Sequence, residues 1–362
     1  MPVSDAHSPG AAPSSVATAA SAARSVCREP AGGHRACDAI VYSNGTVRVA
    51  CNRAVPYCAS DLEAAYGVTQ IAKTSGKGAL VAIVGAYGYP NAASDLAVYR
   101  KTMGLPPCAT GCLQVVNQSG RSRPLPKPNS SDDWRLEQAL DLDMVSAICP
   151  NCRILLVQSN GDKNSDLALG ANAAVALGAV SVANPYSSKE DDFGQGAYRH
   201  PGHAITASAG NEAGVTASPC SYSGVVCVGG TSLLAASSKR GWNERPWGSG
   251  GSGCSAYVSK PAWQRVKGCA TRNEVDVAAV ADPATGVAAY GSFAGGWQQM
   301  GGTSTAATIV AALFALGSNA ARANAPQWIW RHGPGAAYHH VGSGSGYDRE
   351  SGWGTPAGVT GF

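Results

Sequence analysis

A pair of hydroxyl side chains stands directly before the most apolar helix-forming stretch of the sequence. Gly301 and Gly302 lead into Thr303 and Ser304, and an Ala-rich apolar run then continues to Leu316. A serine on such a turn lies beside the unpaired N–H groups of a helix N-terminus, where a nucleophile is often presented. The alternative is that one of the two hydroxyls only caps the helix. A nucleophile needs a base, which the rest of the chain must supply.

A carboxylate is the best candidate for that base. None of the seven histidines stands in the sequence context that a Ser-His-Asp triad would need. Glu137 and Asp141, in contrast, are spaced i and i+4, which places both on one face of a helix. One carboxyl could take the serine proton while the other shares it, and their coupling would raise one pKa. The alternative is a solvated helix face, and Asp143, off that face, is expected to be an exposed or structural acid.

An amide side chain follows one of the expected strands. Asn211 comes three residues after a strand that ends at Ser208. At the carboxyl end of a strand, its N–H could donate to an oxyanion that develops during acyl transfer. Gly-Asn pairs are also common in plain turns, so this residue alone leaves both interpretations open.

The bulk composition indicates a globular, disulfide-bonded chain. Of 362 residues, 44 % are hydrophobic and 14 % are charged, and the net charge of +4 is too small and scattered to indicate nucleic-acid binding. No apolar stretch approaches the length of a membrane span. We expect a secreted monomer that acts on proteins or peptides, although the first 24 residues hold no clear signal peptide.

The cysteines support an oxidising compartment. Their number is twelve, few histidines are near enough to form zinc sites with them, and local pairing is the expected connectivity. The spacing of Cys149 and Cys152 is also that of a redox motif, which we consider the weaker interpretation. The expected pairs are Cys27/Cys37, Cys51/Cys58, Cys108/Cys112, Cys149/Cys152, Cys220/Cys227 and Cys254/Cys269.

Buried strands alternate with helices along most of the chain, which predicts an α/β fold with a doubly wound, mostly parallel sheet and helices on both faces. Such folds carry their sites at the carboxyl ends of the strands. We predict a disordered segment at 1–25, a short cysteine-rich N-terminal region or prosegment at 26–60, and a catalytic domain at 61–362. The predicted helices include 92–102 and 134–148, and the predicted strands include 79–84, 154–157 and 204–208.

Taken together, the motifs resemble those of the sedolisin family, the serine-carboxyl peptidases. The resemblance rests on the Gly-Gly-Thr-Ser motif at 301–304, the Glu-x-x-x-Asp pair at 137–141, the segment 276–283 and the C-terminal stretch 346–356. It covers residues from about 60 to 362. It implies a subtilisin-like fold and peptide hydrolysis through an acyl-enzyme at acid pH. By this resemblance Ser304 is the nucleophile, Glu137 the general base and Asp141 its partner.

Two departures from the family pattern bear on function. The family has an aspartate at the oxyanion position, where this chain has Asn211, an amide that donates at any pH. A catalytically weakened or inactive peptide-binding exoprotein is therefore the alternative function.

The second departure concerns calcium, which the family binds near its C-terminus. By the resemblance, the ligands here are Asp348, Gly346, Gly344 and Val341. The family's first aspartate ligand is replaced by His340, and an imidazole is a poor ligand for this cation. A glycine-rich turn closed by Asp348 is the alternative.

Overall fold

The computed structural model describes residues 22–43, 47–129, 133–342 and 346–362. The strands are β1 Ala22–Ser25, β2 Ala36–Cys37, β3 Ile40–Ser43, β4 Leu80–Ala86, β5 Leu113–Asn117, β6 Arg153–Ser159, β7 Ser181–Asn184, β8 Tyr186–Lys189, β9 Ala204–Ser208, β10 Ala217–Ser218, β11 Val226–Ala235, β12 Trp242–Pro246, β13 Cys254–Ser259, β14 Thr271–Asn273, β15 Val277–Val280, β16 Val287–Gly291, β17 Gly296–Gly301, β18 Tyr338–His339 and β19 Thr355–Pro356. The α-helices are α1 Ala59–Ala65, α2 Thr69–Thr74, α3 Ala92–Thr102, α4 Trp134–Ile148, α5 Asn164–Ala176, α6 Thr303–Leu316, α7 Asn319–Ala323 and α8 Ala325–His332. Short 3₁₀ turns occupy Gln195–Tyr198, Pro283–Thr285 and Ser292–Ala294.

The centre of the molecule is a sheet whose inner strands are largely apolar and buried. Its order is β12-β11-β9-β7-β4-β6-β5, and β15 adds a further pairing to β11. All neighbours are parallel except β12, which runs antiparallel to β11. Strand β4 is buried along its whole length, as expected for a parallel strand that is covered on both faces. The prediction of a mostly parallel α/β sheet is therefore confirmed.

The helices lie on both faces of this sheet. Helix α6 lies on one face, where the hydroxyl of Ser181 donates to the Ala311 carbonyl and the hydroxyl of Thr206 donates to the Ala307 carbonyl. On the other face, α5 brings Gly170 against Val84, so closely that a Cβ at Gly170 would lie 2.8 Å from that side chain. These are opposite faces, because Ser181 pairs with the residue three before Val84 and side chains alternate along β4. Helix α6, whose fourteen residues are all buried, is thus the inner helix of its layer.

The N-terminal segment joins this core in a way that the sequence did not predict. Strand β2 pairs antiparallel with β8, and β3 pairs antiparallel with both β1 and β17. Residues 22–25, predicted to be disordered, form strand β1, so that prediction is wrong for these four residues; residues 1–21 lie outside the described residues. The segment 26–43 packs on the strands of the predicted catalytic domain.

All twelve cysteines form disulfides, and the six predicted local pairs are those observed. Cys149 and Cys152 are among them and are buried. Among the described residues, no helix combines the length and the apolar character that crossing a membrane requires.

Candidate active site

Two buried helices carry the predicted nucleophile and base. Glu137 and Asp141 lie one turn apart on α4, and Ser304 and Thr308 lie one turn apart on α6, which packs against α4. All four side chains are completely buried. Because both pairs have the i, i+4 spacing, each carboxyl of α4 faces one hydroxyl of α6.

The contacts within this pairing differ in strength. Thr308 Oγ1 donates to Asp141 Oδ1 at 2.7 Å. The Ser304 hydroxyl lies near enough to Glu137 to lower its pKa, but neither Ser304 Oγ nor Glu137 Oε1 has a well-formed hydrogen bond among the described residues. Thr308 therefore fixes the orientation of Asp141, while the reactive oxygens of Ser304 and Glu137 stay available.

Burial controls the ionisation of the two carboxyls. The pKa of Glu137 is raised well above its ordinary value, first by loss of solvent and then by the charges of Asp141 and Asp38. Desolvation also raises the pKa of Asp141, against the opposing effect of the Thr308 hydrogen bond. Two adjacent buried carboxyls with raised pKa values retain a shared proton, so one serves as the base while the other is neutral.

Asn211 lies beside the nucleophile turn, and its hydrogen bonds fix which end of its amide faces the cleft. Its Oδ1 accepts from the Thr303 backbone N–H at 3.0 Å and from Thr303 Oγ1 at 3.1 Å. Its Nδ2 then donates to the Asp38 carbonyl oxygen at 2.8 Å. The structure therefore brings together all four residues predicted to form the catalytic site: Ser304, Glu137, Asp141 and Asn211.

The chain's own backbone occupies the space between these groups. The carbonyl oxygen of Asp38 accepts from Asn211, and the N–H of the next residue, Ala39, donates to Glu137 Oε2 at 2.7 Å. The Asp38 carbonyl also lies against the nucleophile turn, since a Cβ on Gly302 would lie 1.8 Å from its oxygen. One peptide bond is thus held by its oxygen at the amide and by its nitrogen at the carboxyl.

The strands on either side hold this segment in an extended conformation. On the N-terminal side, Ala36 pairs with Ser187, and the Asp38 N–H donates to the Pro185 carbonyl. On the C-terminal side, Ile40 pairs with Gly301. Extended pairing of this kind is the usual way in which a cleft binds a peptide by its backbone.

Several residues of this site were missed by the sequence analysis. Asp38 and Ala39 stand alone in a cysteine-rich stretch without a motif, and their role depends on pairings with β8 and β17, far along the chain. Thr308 did have a local signal, because its spacing from Ser304 matches that of the two carboxyls on α4. Asp143 is buried and accepts from the Tyr290 N–H, so its role is structural and it is not exposed.

Of the residues predicted to bind calcium, Asp348 already accepts hydrogen bonds within its own turn. Asp348 Oδ1 accepts from the N–H of Glu350 and from the N–H and hydroxyl of Ser351, which closes a turn. Val341 is buried, Gly346 is exposed, and Gly344 lies outside the described residues. Calcium binding by these residues therefore stays a prediction.

The fold and this arrangement define a subtilisin-like α/β chain with a serine–carboxyl site. No family model matches the chain. Sedolisin from Pseudomonas sp. (strain 101) is 29 % identical over 199 residues, which are 52 % of this chain and 33 % of that protein. This chain thus matches only a third of the length of that relative.

Solved structures show the same fold. Pseudomonas sedolisin, a serine-carboxyl proteinase complexed with two molecules of pseudo-iodotyrostatin, has a TM-score of 0.70 at 22 % identity, over 84 % of this chain and 96 % of that one. Fervidolysin from Fervidobacterium pennivorans, related to subtilisin, has a TM-score of 0.53 at 17 % identity, over 86 % and 47 %. A lanthipeptide protease has 0.54 at 15 % identity, over 84 % and 93 %. The chain is thus similar to sedolisin in sequence and in fold, and the predicted subtilisin-like fold is confirmed.

Proposed function

We propose that this chain is a serine-carboxyl endopeptidase and that its own Asp38–Ala39 bond is its first substrate. The observation that carries the proposal is the placement of this one peptide bond between two groups of opposite function. Its carbonyl oxygen meets a hydrogen-bond donor, Asn211 Nδ2, and its nitrogen meets a carboxyl, that of Glu137. These are the positions that an oxyanion donor and a general acid–base occupy in acyl transfer.

The proposed reaction proceeds in two halves. Glu137 takes the proton of Ser304 Oγ as that oxygen bonds to the carbonyl carbon, and Asn211 Nδ2 stabilises the oxyanion. As the C–N bond breaks, Glu137 returns the proton to the leaving nitrogen, which becomes the amine of Ala39. Water, with Glu137 again as base, then attacks the acyl-enzyme, releases the carboxylic acid and restores the serine.

The pH dependence follows from the shared proton. Glu137 accepts a proton only while it is ionised, and its raised pKa together with that of Asp141 moves the loss of activity on acidification upward in pH. Asn211 donates without titrating, so the oxyanion donor adds no limit on the alkaline side. Asn211→Asp should introduce a loss of activity at higher pH, because an ionised carboxylate has no proton to donate to the oxyanion.

The test is N-terminal sequencing of the purified chain together with hydrolysis of a denatured protein between acid and neutral pH. We expect wild type to yield a product that begins at Ala39, and Ser304→Ala and Glu137→Gln to remain uncut. Asn211→Asp should lose activity as pH rises, whereas wild type keeps it. Hydrolysis that survives Ser304→Ala would remove the assignment.

A second function is favoured by the same occupied cleft. A segment bound this closely could act as a permanent plug in a catalytically silent, peptide-binding protein. An intact chain after prolonged incubation across the pH range, with the same result for Ser304→Ala, favours this alternative.

We also propose that the protein acts outside the cell, on protein or peptide substrates. Six disulfides, with no cysteine left over, are typical of an oxidising compartment. A monomer in solution remains the expectation from the sequence.

A further inference from the structure

A buried arginine of the segment in the cleft fills a pocket built by the rest of the chain. The Arg35 side chain is fully buried, and the carboxylate nearest to it, Asp191, is 32 % exposed at the pocket edge. Arg35 Nη1 donates to Ser188 Oγ at 2.8 Å and to the Ser218 carbonyl, and Nη2 donates to Tyr222 OH at 3.2 Å. Nη2 also lies 3.5 Å from Asp191 Oδ1.

The pocket is shaped for a guanidinium group. It offers a carbonyl, two hydroxyls and a carboxylate to the same planar group, and a guanidinium presents its donors in a matching fork. The carboxylate is held in place from behind, because Tyr222 OH donates to Asp191 Oδ1 at 2.6 Å and Asn164 Nδ2 donates to Asp191 Oδ2 at 3.2 Å. A buried arginine without such partners would be strongly unfavourable, so the wall is matched to the two terminal nitrogens of the guanidinium, while Nε has no hydrogen-bond partner among the described residues.

The wall of this pocket belongs to the catalytic domain and not to the segment that fills it. Ser188 lies on β8 and Ser218 on β10, Asp191 lies in the loop that follows β8, and Tyr222 lies in the loop that follows β10. All four residues follow the segment 26–43 by more than a hundred positions in the sequence. The pocket is thus available to any peptide that replaces the segment in the cleft.

The register of the segment shows which residue of a bound peptide would lie in this pocket. Asp38 supplies the carbonyl that faces Asn211, so Arg35 is the fourth residue on the N-terminal side of the candidate scissile bond, counting Asp38 as the first. The strand pairing of β2 with β8 fixes this count.

We propose that the cleft selects peptide substrates with arginine as the fourth residue before the cleaved bond, and that Asp191, Tyr222 and Ser188 form the selecting pocket. This inference rests on the proposed peptidase function. Lysine fits the pocket less well than arginine, because a single ammonium cannot meet all of the acceptors at once.

The test uses the full chain with Arg35→Ala, which empties the pocket and removes the guanidinium contacts that hold the segment in the cleft, so that an added peptide can displace the segment. Two fluorogenic peptides copy residues 33–42 with serine in place of Cys37; one keeps arginine and the other has citrulline, its neutral isostere. Any residual competition from the segment affects both peptides alike. We expect kcat/KM for the arginine peptide to be about 10- to 100-fold higher, as charged hydrogen bonds in a buried site require.

Two further variants locate the selectivity. Adding Asp191→Asn should reduce the ratio between the two peptides toward one. Adding Asp192→Asn removes the same charge from the neighbouring exposed residue and should leave the ratio unchanged. Equal rates for the two peptides, an equal effect of both variants, or cleavage at a bond other than the Asp–Ala bond would overturn the inference.

Binding separates this inference from the peptidase assignment. If neither peptide is hydrolysed and the chain is also not cut at its own Asp38–Ala39 bond, the proposed function fails, and fluorescence anisotropy with the Arg35→Ala, Ser304→Ala chain measures the affinity of labelled versions of both peptides. The same preference for arginine, removed by Asp191→Asn, supports the pocket without catalysis. Equal affinities overturn it.

Discussion

Asp38 gives the segment in the cleft a dependence on pH that one substitution should remove. The residue is 5 % exposed, and burial raises its pKa to about 7, against the hydrogen bond from Ser187 and the effect of the nearby Ser208 hydroxyl, and with a further increase from the charge of Glu29. When the segment leaves the cleft, the carboxyl returns to water and to an ordinary pKa near 3.8. The docked state therefore binds the proton more tightly than the released state.

The sign and size of the effect follow from this difference. The contribution of Asp38 to the free energy of docking is complete below about pH 4. It decreases as the pH rises from about 4 to about 7 and changes little above that. A difference of about 3 pH units between the two pKa values corresponds to about 4 kcal/mol. Asp38→Asn keeps an acceptor for Ser187 but cannot ionise, so its docking should be nearly independent of pH from this source.

Hydrogen exchange measures the opening of the segment directly. The N–H groups of Asp38 and Ala39 donate to the Pro185 carbonyl and to Glu137, and both become exposed when the segment leaves. Wild-type and Asp38→Asn chains should both carry Ser304→Ala so that neither is cut. After correction for intrinsic exchange, we expect the opening free energy to fall by up to about 4 kcal/mol from pH 4 to 7 when Asp38 is present, and by less than about 1 kcal/mol in the Asp38→Asn chain.

A matched control removes another carboxylate that contacts the same segment. Asp162 Oδ1 is hydrogen-bonded to His34, so Asp162→Asn alters a contact of the segment without touching Asp38. Glu137 faces the segment as well, and because the charge of Asp38 raises its pKa, Asp38→Asn removes that part of the Glu137 contribution together with the contribution of Asp38 itself. Equal pH slopes with and without Asp38 would refute the reasoning.

Three further predictions concern the turn, the two helices and the metal. Gly302→Ala should abolish the cut after Asp38, because φ at Gly302 is +100° and the new Cβ would meet the Asp38 carbonyl oxygen. N-terminal sequencing checks this in a chain whose circular dichroism spectrum shows that it is folded as the wild type is. A normal cut contradicts the prediction. Thr308→Val should lower the free energy of unfolding by about 1–3 kcal/mol, because a buried hydrogen bond to Asp141 is lost. It should also move the acid limb of kcat/KM to higher pH, because that hydrogen bond lowers the pKa of Asp141. Urea titration measures the first effect and a pH profile the second, and an acid limb that does not move contradicts the prediction. If calcium is bound, mild EDTA treatment should lower Tm, and Asp348→Asn should remove that response; an unchanged Tm in wild type ends the calcium prediction.

The sequence predicted the layers of the fold because their signals are local. The bounds 92–102 and 134–148 agree with α3 and α4, and the apolar runs at 79–84, 154–157 and 204–208 lie within or overlap β4, β6 and β9. Strand β5 was not predicted, since Leu113–Asn117 is short and only partly buried.

The candidate site could be predicted only in part from the sequence. Glu137, Asp141 and Ser304 stand in recognisable motifs, but the peptide bond between them does not. Its position depends on a two-residue strand that pairs with β8 and a short strand that pairs with β17, both distant in sequence, and such registers have no local signature. The same holds for the Arg35 pocket, whose acceptors come from separate loops and strands.

The placement of the disulfides makes the cutting of the segment and its release from the cleft two separate events. Cys27 and Cys37 both precede Asp38, and every other bridge joins residues that follow Ala39, so cutting the Asp38–Ala39 bond leaves no covalent link between the two pieces. The freed piece is still retained by β1, by the contact of its histidine with Asp162 and by the Arg35 guanidinium. The delay between cutting and an open cleft is then a dissociation half-life, set by contacts remote from the chemistry and adjustable without changing a catalytic group.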